Sequence, residues 1–287
     1  VLSIISIVIF SSISGVFFLA QIIKNNSILD VFWGLGFVIA VDVALALTYN
    51  FSLPSLLVSF FVSIWGLRLA YHIFRRNKGK PEDKRYSQFR QAWKGNFLLK
   101  SYLQLYILQG TLLQIIVFSA IGVIVFRTEG LGVVDVLGVL VWGIGFFFEV
   151  VGDWQLSNFK NNPRNKGKVM THGLWSLTRH PNYFGEVLQW WALWFFTLST
   201  PYFLFGLLGP ITITVLILFV SGIPMLERKM SSHPDFALYA QKTNKFFPGF
   251  LAGGLIGNIF IAMIASLSTV TIQSILYIFF FVFSYFE

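Results

Sequence analysis

The polar residues with the clearest capacity for chemistry stand in one short stretch, 177–186, which reads LTRHPNYFGE and precedes the apolar run 187–191. Proline is favoured at the first position of a helix, where its missing amide hydrogen costs nothing, so Pro181 predicts that a helix begins there. The unbonded backbone amides and the positive end of that helix then face the same space as Arg179 and His180. Such an arrangement is suited to binding an anion.

Asn182 and Glu186 are the next candidates, because they are four residues apart and share one face of the predicted helix. Ionisable groups at membrane depth are costly and are usually paired or functional, which favours a role in a site for Glu186. The alternative is structural, namely a helix cap whose glutamate is satisfied by a neighbouring arginine. The residues alone leave both interpretations open.

The loop before this helix, which starts at Gly152, mixes cations with aromatic rings. Its cationic and aromatic side chains include Lys160, Arg164, Lys166, Lys168, Arg179, Trp154, Trp175, His172 and His180. Aromatic planes interleaved with cations suit a nucleotide, whose base stacks on rings and whose phosphates need positive charge. A lipid phosphate would need the charge but not the planes. The pattern therefore indicates a nucleotide-like cofactor.

Composition excludes several other kinds of chemistry. The chain has no cysteine, which excludes disulfides, thiolate catalysis and thiolate metal sites. Its four histidines form no pair with metal-ligand spacing, so we expect no metal. The net charge of +9 is what the basic loops of a membrane protein produce, so we expect membrane lipids and no nucleic acid as partners.

The elements that position these residues are membrane helices. Of the 287 residues, 56% are hydrophobic and 11% are charged, and the mean hydropathy is +0.72, which indicates a polytopic membrane protein. A spanning helix needs about 20 apolar residues. Runs of that kind lie at 1–23, 31–49, 54–74, 97–126, 132–151, 185–200, 203–226, 250–267 and 269–284. The prediction is an all-α transmembrane helix bundle with about seven core spans in one domain, 1–250, extended by a C-terminal hydrophobic hairpin, 251–287.

Basic residues predict the orientation, because basic loops stay on the cytoplasmic side of a membrane. All but Arg68 and Arg127 of the 21 lysines and arginines fall in segments that successive spans place on one face, namely 24–30, 75–100, 152–183 and 227–249. We therefore expect a protein of the bacterial cytoplasmic membrane, with its N-terminus outside and its main basic loops in the cytoplasm.

Further motifs accompany the 177–186 stretch: Gly152 to Gln155 (GDWQ), Gly173 to Trp175 (GLW), Glu227-Arg228, and Tyr239 to Pro248. With them the chain resembles the steroid 5-alpha-reductase superfamily, and it is similar above all to the bacterial steroid-reductase-like multi-pass membrane proteins of largely unknown function. Segments 30–34, 65–69 and 102–110 fit that branch too, so the resemblance covers about residues 28–250. Arg-His-Pro-x-Tyr also occurs in the related isoprenylcysteine and phospholipid methyltransferases, which use S-adenosylmethionine.

The resemblance implies a membrane enzyme in which NADPH enters from the cytoplasm and reduces a carbon–carbon double bond, commonly conjugated to a carbonyl, in a steroid-like or other lipid-soluble substrate. It implies that Asn182 and Glu186 contact the nicotinamide and ribose end and that Asp153 holds another polar part of NADPH. The candidates for its phosphates are Lys160, Arg164, Arg179 and Arg228, and Tyr239 is expected near the adenosine half. The other residues expected at the cofactor are Arg68, Trp175, His180, Tyr183 and Lys245.

The reaction implied by the resemblance also needs a proton donor, because hydride transfer beside a carbonyl creates an enolate in a water-poor pocket. In the steroid reductases this donor is a tyrosine supported by a glutamate, and Trp65 stands where that tyrosine is expected. Tyr71 is the nearest phenol and Asp42 is a carboxylate well inside an early span, so these two are the candidate catalytic residues. A buried ion pair between Asp42 and Arg68 is the structural alternative.

Two other functions stay open on the sequence. A methyltransferase using S-adenosylmethionine, of the isoprenylcysteine or phospholipid type, would hold the methionine carboxylate at the same helix start. Against it, the cations of 153–179 suit a dinucleotide that carries several phosphates. The second is a non-catalytic membrane protein that binds lipid and has kept the fold without the expected tyrosine.

Overall fold

The computed structural model describes residues 1–93 and 95–249, and the predicted hairpin at 251–287 lies outside them. The helices of the described residues are α1 (Leu2–Ile22), α2 (Ile28–Thr48), α3 (Leu53–Asn77), α4 (Lys84–Ala92), α5 (Phe97–Phe126), α6 (Val133–Asn161), α7 (Leu174–Leu177), α8 (Pro181–Phe195), α9 (Phe203–Met230) and α10 (Pro234–Lys242). Helices α5 and α9 each contain a π-helical stretch, at Tyr102–Ile107 and Leu216–Val220, and a bend at Ser221 and Gly222 interrupts α9. The described part of the chain contains no strand, and the predicted all-α class is confirmed.

Six of the described helices, α1, α2, α3, α5, α6 and α9, are long and apolar enough to cross a membrane. The 21 residues of α1 extend about 32 Å, which matches a hydrocarbon layer about 30 Å thick. The run predicted as a span at 185–200 differs, because its helix, α8, ends at Phe195 after 15 residues and extends about 22 Å. Turns replace the helix at 196–202. The described residues therefore contain six candidate spans where about seven were predicted.

The described chain divides into two compact units. The first comprises Val1–Asp135 and Leu193–Gly209, and the second comprises Val136–Ala192 and the described residues from Pro210 onward. The candidate cofactor residues other than Arg68 belong to the second unit. Arg68 and the two candidate catalytic residues belong to the first.

Helices of the first unit meet through glycines and through a buried ion pair. Helix α2 packs against α3 so closely at Gly34 and Gly66 that a β-carbon on either would collide with the carbonyl oxygen of the other. After α5, the two terminal nitrogens of Arg127 donate to the Asp135 carboxylate at 2.7 and 2.6 Å, and one of them also donates to the Phe196 carbonyl at 2.9 Å. The side chains of Arg127 and Asp135 are only 3% and 0% exposed, so this pair depends entirely on its internal partners.

Helices α6 and α8 cross within the second unit at Gly145 and Gly185. A β-carbon on Gly145 would lie 2.7 Å from the Gly185 carbonyl oxygen, and one on Gly185 would lie 2.6 Å from the Glu149 amide nitrogen. Side chains are not accommodated at such distances, so the crossing requires glycine on both helices. Two turns along α6, a β-carbon on Gly152 would lie 3.2 Å from the Asn182 amide nitrogen. The start of α8 therefore lies directly against α6.

Candidate functional site

Helix α8 begins at Pro181, as the sequence predicts. The Phe184 amide donates to the His180 carbonyl oxygen at 3.0 Å, whereas the amides of the first turn have no partner inside a helix. The Asn182 side chain lies at this helix start and donates to Asp153 Oδ1 on α6 at 3.1 Å. Two residues predicted for the cofactor site, Asn182 and Asp153, are therefore in direct contact.

A line of polar side chains continues from this contact along α6 and α8. Glu149 lies one helical turn before Asp153, is 3% exposed, and accepts a hydrogen bond from Gln189 Nε2 at 2.5 Å. Glu186 stands between Asn182 and Gln189 in the sequence of α8 and is half-buried. We call these five side chains, Glu149, Asp153, Asn182, Glu186 and Gln189, the polar seam.

The sequence prediction omits Glu149 and Gln189. Glu149 stands inside the apolar run predicted at 132–151. An ionisable side chain inside a span is usually paired or functional, so the sequence alone could have identified Glu149 as a candidate site residue. Gln189 carries no charge and gives no comparable signal. The two residues are 40 positions apart, so their pairing follows only from the crossing of α6 and α8.

The Arg179 guanidinium is bonded to other parts of the second unit. Its Nε donates to Glu227 Oε1 on α9 at 2.8 Å, and one terminal nitrogen donates to the carbonyl oxygens of Ala240 at 2.8 Å and Thr243 at 3.0 Å. The side chain is 11% exposed. These contacts favour a structural role for Arg179 over the predicted phosphate contact. They also give the arginine beside the helix start a glutamate partner on α9 rather than on α8.

Glu227 also faces His180 and Lys245. Its Oε1 lies 3.1 Å from His180 Nε2, and its Oε2 lies 4.0 Å from Lys245 Nζ. Burial lowers the pKa of the His180 imidazole, and the hydrogen bond to Glu227 opposes that shift only in part. We therefore expect a neutral ring at pH 7 that donates from Nε2 to the carboxylate. Arg179, His180, Glu227 and Lys245 form what we call the Glu227 hub, which holds the residues before α8 against α9.

Trp175 and Tyr239 are tied to backbone oxygens. The Tyr239 hydroxyl on α10 donates to the Trp175 carbonyl oxygen at 2.5 Å, and the Trp175 indole nitrogen donates to the Gly152 carbonyl oxygen at 3.0 Å. Both side chains are buried, and burial is the main reason that the pKa of Tyr239 lies above its ordinary value. The phenol and the indole N–H thus clamp α10 and α7 onto α6. A contact of Tyr239 with adenosine stays a prediction.

The other predicted phosphate contacts are on the surface. The cations of the cofactor prediction with exposed side chains are Lys160, Arg164, Arg228 and Lys245. Arg164 and Arg228 form no ion pair with any residue that the structure describes. The neighbouring loop is held at Gly167, whose carbonyl oxygen lies 2.6 Å from His233 Nε2 at the start of α10. These exposed side chains are accessible to an anion, whereas the Arg179 guanidinium is largely buried and already bonded.

The candidate catalytic residues lie in the first unit. Tyr71 on α3 is 63% exposed and its ring lies 6.0 Å from the guanidinium carbon of Arg75. An exposed aromatic ring near the charged end of a span is typical of a membrane interface. Asp42 on α2 is also exposed, whereas Arg68 is half-buried. The structural alternative, a buried ion pair between Asp42 and Arg68, is therefore wrong. The catalytic roles of Tyr71 and Asp42 stay predictions.

Comparison with known proteins adds a family and two distant relatives. Residues 16–243 match the family described as "Protein of unknown function (DUF1295)". "Probable O-methyltransferase ustE" of Ustilaginoidea virens is 48% identical over 46 residues, which are 16% of this chain and 16% of that protein. "Uncharacterized protein C594.04c" of Schizosaccharomyces pombe (strain 972) is 25% identical over 247 residues, which cover 76% of this chain and 67% of that protein. No solved structure matches.

Proposed function

We propose that this chain, which belongs to the DUF1295 family of unknown function, is an integral-membrane reductase. In this proposal it uses NADPH to saturate a carbon–carbon double bond in a lipid-soluble substrate. The observation that carries the proposal is the Asp153–Asn182 contact at the start of α8, followed inward by the buried Glu149–Gln189 contact. An amide beside carboxylates offers the donors and acceptors that a nicotinamide carboxamide and a ribose need.

Exposed positive charge in the second unit supports a dinucleotide. Arg164 and Arg228 are exposed and form no ion pair with the described residues, and the partial positive charge at the start of α8 adds to theirs. Phosphates bind most strongly to cations that have no carboxylate of their own. Bound at this place, NADPH would supply a hydride to the substrate. The sequence-based candidates for the proton donor, Tyr71 and Asp42, belong to the first unit, and their roles stay predictions.

The tasks of the remaining residues follow from their contacts. The Glu227 hub and the Trp175–Tyr239 clamp hold the start of α8, so that Asn182 is oriented before a ligand arrives. The buried Glu149–Gln189 contact keeps the inner end of the seam polar within an apolar span, where a substrate double bond is shielded from water. We also propose that the basic loops face the cytoplasm, because basic residues concentrate in them.

A second candidate function is a methyltransferase that uses S-adenosylmethionine. The name of the relative from Ustilaginoidea virens favours it, although the match covers 46 residues. In that case the start of α8 would hold the methionine carboxylate. S-adenosylmethionine carries no phosphate, so the exposed cations would have no part in binding it.

The two candidates are separated by titrating the detergent-purified protein with NADPH, NADH and S-adenosylmethionine while following the fluorescence of its nine tryptophans. We expect saturable quenching by NADPH at micromolar concentration. Saturable quenching by S-adenosylmethionine alone would show that the reductase proposal is wrong and would favour the methyltransferase.

Substitutions in the seam give the first prediction. Asn182→Ala and Glu186→Ala are each expected to weaken NADPH binding about tenfold or more, because a lost hydrogen bond in a half-buried site costs about 1–3 kcal/mol. Lys78→Ala, an exposed residue of the first unit, is the control and is expected to leave NADPH affinity within about twofold. If all three variants lose affinity alike, the cofactor assignment fails.

The exposed cations give a second prediction. The double variant Arg164→Gln/Arg228→Gln is expected to weaken NADPH binding about tenfold while leaving any binding of S-adenosylmethionine within about twofold. Both dissociation constants come from the same fluorescence titration. An equal loss for both ligands would mean that the substitutions disturb the fold instead of removing phosphate contacts.

A further inference from the structure

The segment 75–93 leaves the membrane span α3 and continues into α4, and the carboxylate of Glu82 is largely buried. Glu82 Oε1 accepts from the backbone amide of Asn26 at 2.8 Å and from the Asn26 side chain at 3.0 Å. It also accepts from Arg90 at 3.0 Å. The Glu82 side chain is 12% exposed, so this carboxylate is used to fix the segment to the region between α1 and α2.

Two more acidic residues help to hold the segment in place. Asp30 on α2 accepts from the buried Tyr86 hydroxyl at 2.5 Å and from Arg85 at 2.8 Å. Asp83 caps α4 by accepting from the Arg85 amide at 2.9 Å, and its own amide donates to Ser27 Oγ at 2.8 Å. The segment is therefore held on the first unit by several hydrogen bonds, and its acidic groups already have partners.

Most cations of the segment are exposed to solvent. Five of them are exposed and form no ion pair with the residues that the structure describes; we call them the cationic patch: Arg75, Arg76, Lys78, Lys80 and Lys84. Seven basic and two acidic residues lie between 75 and 90, and Arg85 and Arg90 are the two basic ones that bond carboxylates. From the sequence the acidic residues partly neutralise the segment. In the structure Glu82 bonds Asn26 and Arg90, and Asp83 bonds Arg85, so neither carboxylate forms an ion pair with the five cations of the patch.

The cationic patch lies at the end of a membrane span, and this position indicates which anion it binds. Arg75 and Arg76 form the last turn of α3, which is apolar and long enough to cross a membrane, so the patch begins where that helix leaves the hydrocarbon. Tyr71, one turn earlier and exposed beneath Arg75, suits the boundary between lipid and water. We propose that the cationic patch binds the phosphate headgroups of anionic phospholipids. This inference does not depend on the proposed reductase activity.

Each cation near an anionic membrane surface raises affinity about fivefold. Because Glu82, Tyr86 and the Asp83 amide already hold the backbone of the segment, lipid binding has to order only the cationic side chains. Phosphatidylglycerol, which carries a net negative charge, is therefore expected to bind at least about tenfold more tightly than zwitterionic phosphatidylcholine.

The test uses the full chain, delipidated in a neutral detergent, with bound phosphatidylglycerol and phosphatidylcholine counted by native mass spectrometry. The variant R75Q/R76Q/K78Q/K80Q/K84Q is expected to bring the ratio of the two affinities to within about twofold of one. The matched control, R164Q/K166Q/K168Q/R228Q/K229Q, removes five charges from the second unit and is expected to keep the preference. Equal binding of both lipids by the unaltered protein, or an equal loss in the control, would overturn the proposal.

Two further experiments use the unaltered protein, so they test the proposal even if a variant fails to fold. Raising the salt concentration from about 0.05 to about 0.5 M is expected to reduce the preference several-fold, because exposed charges are screened. A preference that salt does not change contradicts the proposal. Inorganic phosphate at millimolar concentration is expected to leave phosphatidylglycerol bound, and its displacement would identify a site for free phosphate instead.

Discussion

Replacing Glu227 with alanine is expected to lower the free energy of unfolding by about 3 kcal/mol and to weaken NADPH binding about tenfold or more. The Arg179 side chain, 11% exposed, would keep its charge without the carboxylate that now lies 2.8 Å from it, and His180 would lose its partner as well. Because both residues directly precede α8, the orientation of Asn182 is expected to suffer with them. Thermal unfolding in detergent and the fluorescence titration measure the two effects.

Two controls make the Glu227 result specific. Glu227→Gln keeps a hydrogen-bond acceptor for Arg179 and is expected to lose less stability than the alanine variant. Asp235→Ala removes a carboxylate of the same unit whose side chain is 69% exposed, and its effect is expected to stay within about 0.5 kcal/mol. If Glu227→Ala unfolds at the temperature of the unaltered protein, the hub does not stabilise the start of α8.

Asp135→Ala is expected to be at least as damaging, with a loss of about 3–5 kcal/mol in the free energy of unfolding, because it leaves the Arg127 guanidinium buried without a counter-charge. The expected result is a large decrease in the fraction of monodisperse protein recovered in detergent. Glu129→Ala, an exposed carboxylate nearby, is the control and is expected to change recovery little.

A double-mutant cycle separates the ion pair from other causes. Arg127→Met/Asp135→Ala removes both charges together and is expected to be less destabilising than Asp135→Ala alone. The carbonyl oxygens of Phe196 and Gly130, which Arg127 now bonds, would lose a donor in the double variant, so recovery is expected to be partial. A double variant as unstable as the sum of the two single variants would contradict coupling across the pair.

The fold class and the start of α8 were predictable because each depends on local sequence. A run of about 20 apolar residues has few stable states other than a membrane helix, so the span boundaries fall close to the predicted ones. Pro181 fixes the start of α8 through its own backbone geometry. There are two exceptions, because composition gave no sign that the helix of the run at 185–200 ends at Phe195 or that α6 continues past the run at 132–151 to Asn161.

The contacts of the site were less predictable because each joins distant parts of the chain. Spacing places Asn182 and Glu186 on one helix face, but the partner of Arg179 is 48 residues away on α9. Hydropathy also fails to distinguish the buried face of α2 from its exposed face, because this helix is apolar on all sides. The sequence therefore does not show that Asp42 stands on an exposed face. Only the packing of helices decides such questions.

The crossing of α6 and α8 at Gly145 and Gly185 affects which amino-acid substitutions this protein can tolerate. With no side chain between the two backbones, the register of the helices is set by peptide groups, and a slip by one turn, about 5.4 Å, would bring bulky residues to the crossing. The spacing of Glu149 and Gln189 is thereby independent of the large apolar residues around them. Those residues can be exchanged for others of different shape while the polar groups keep their places.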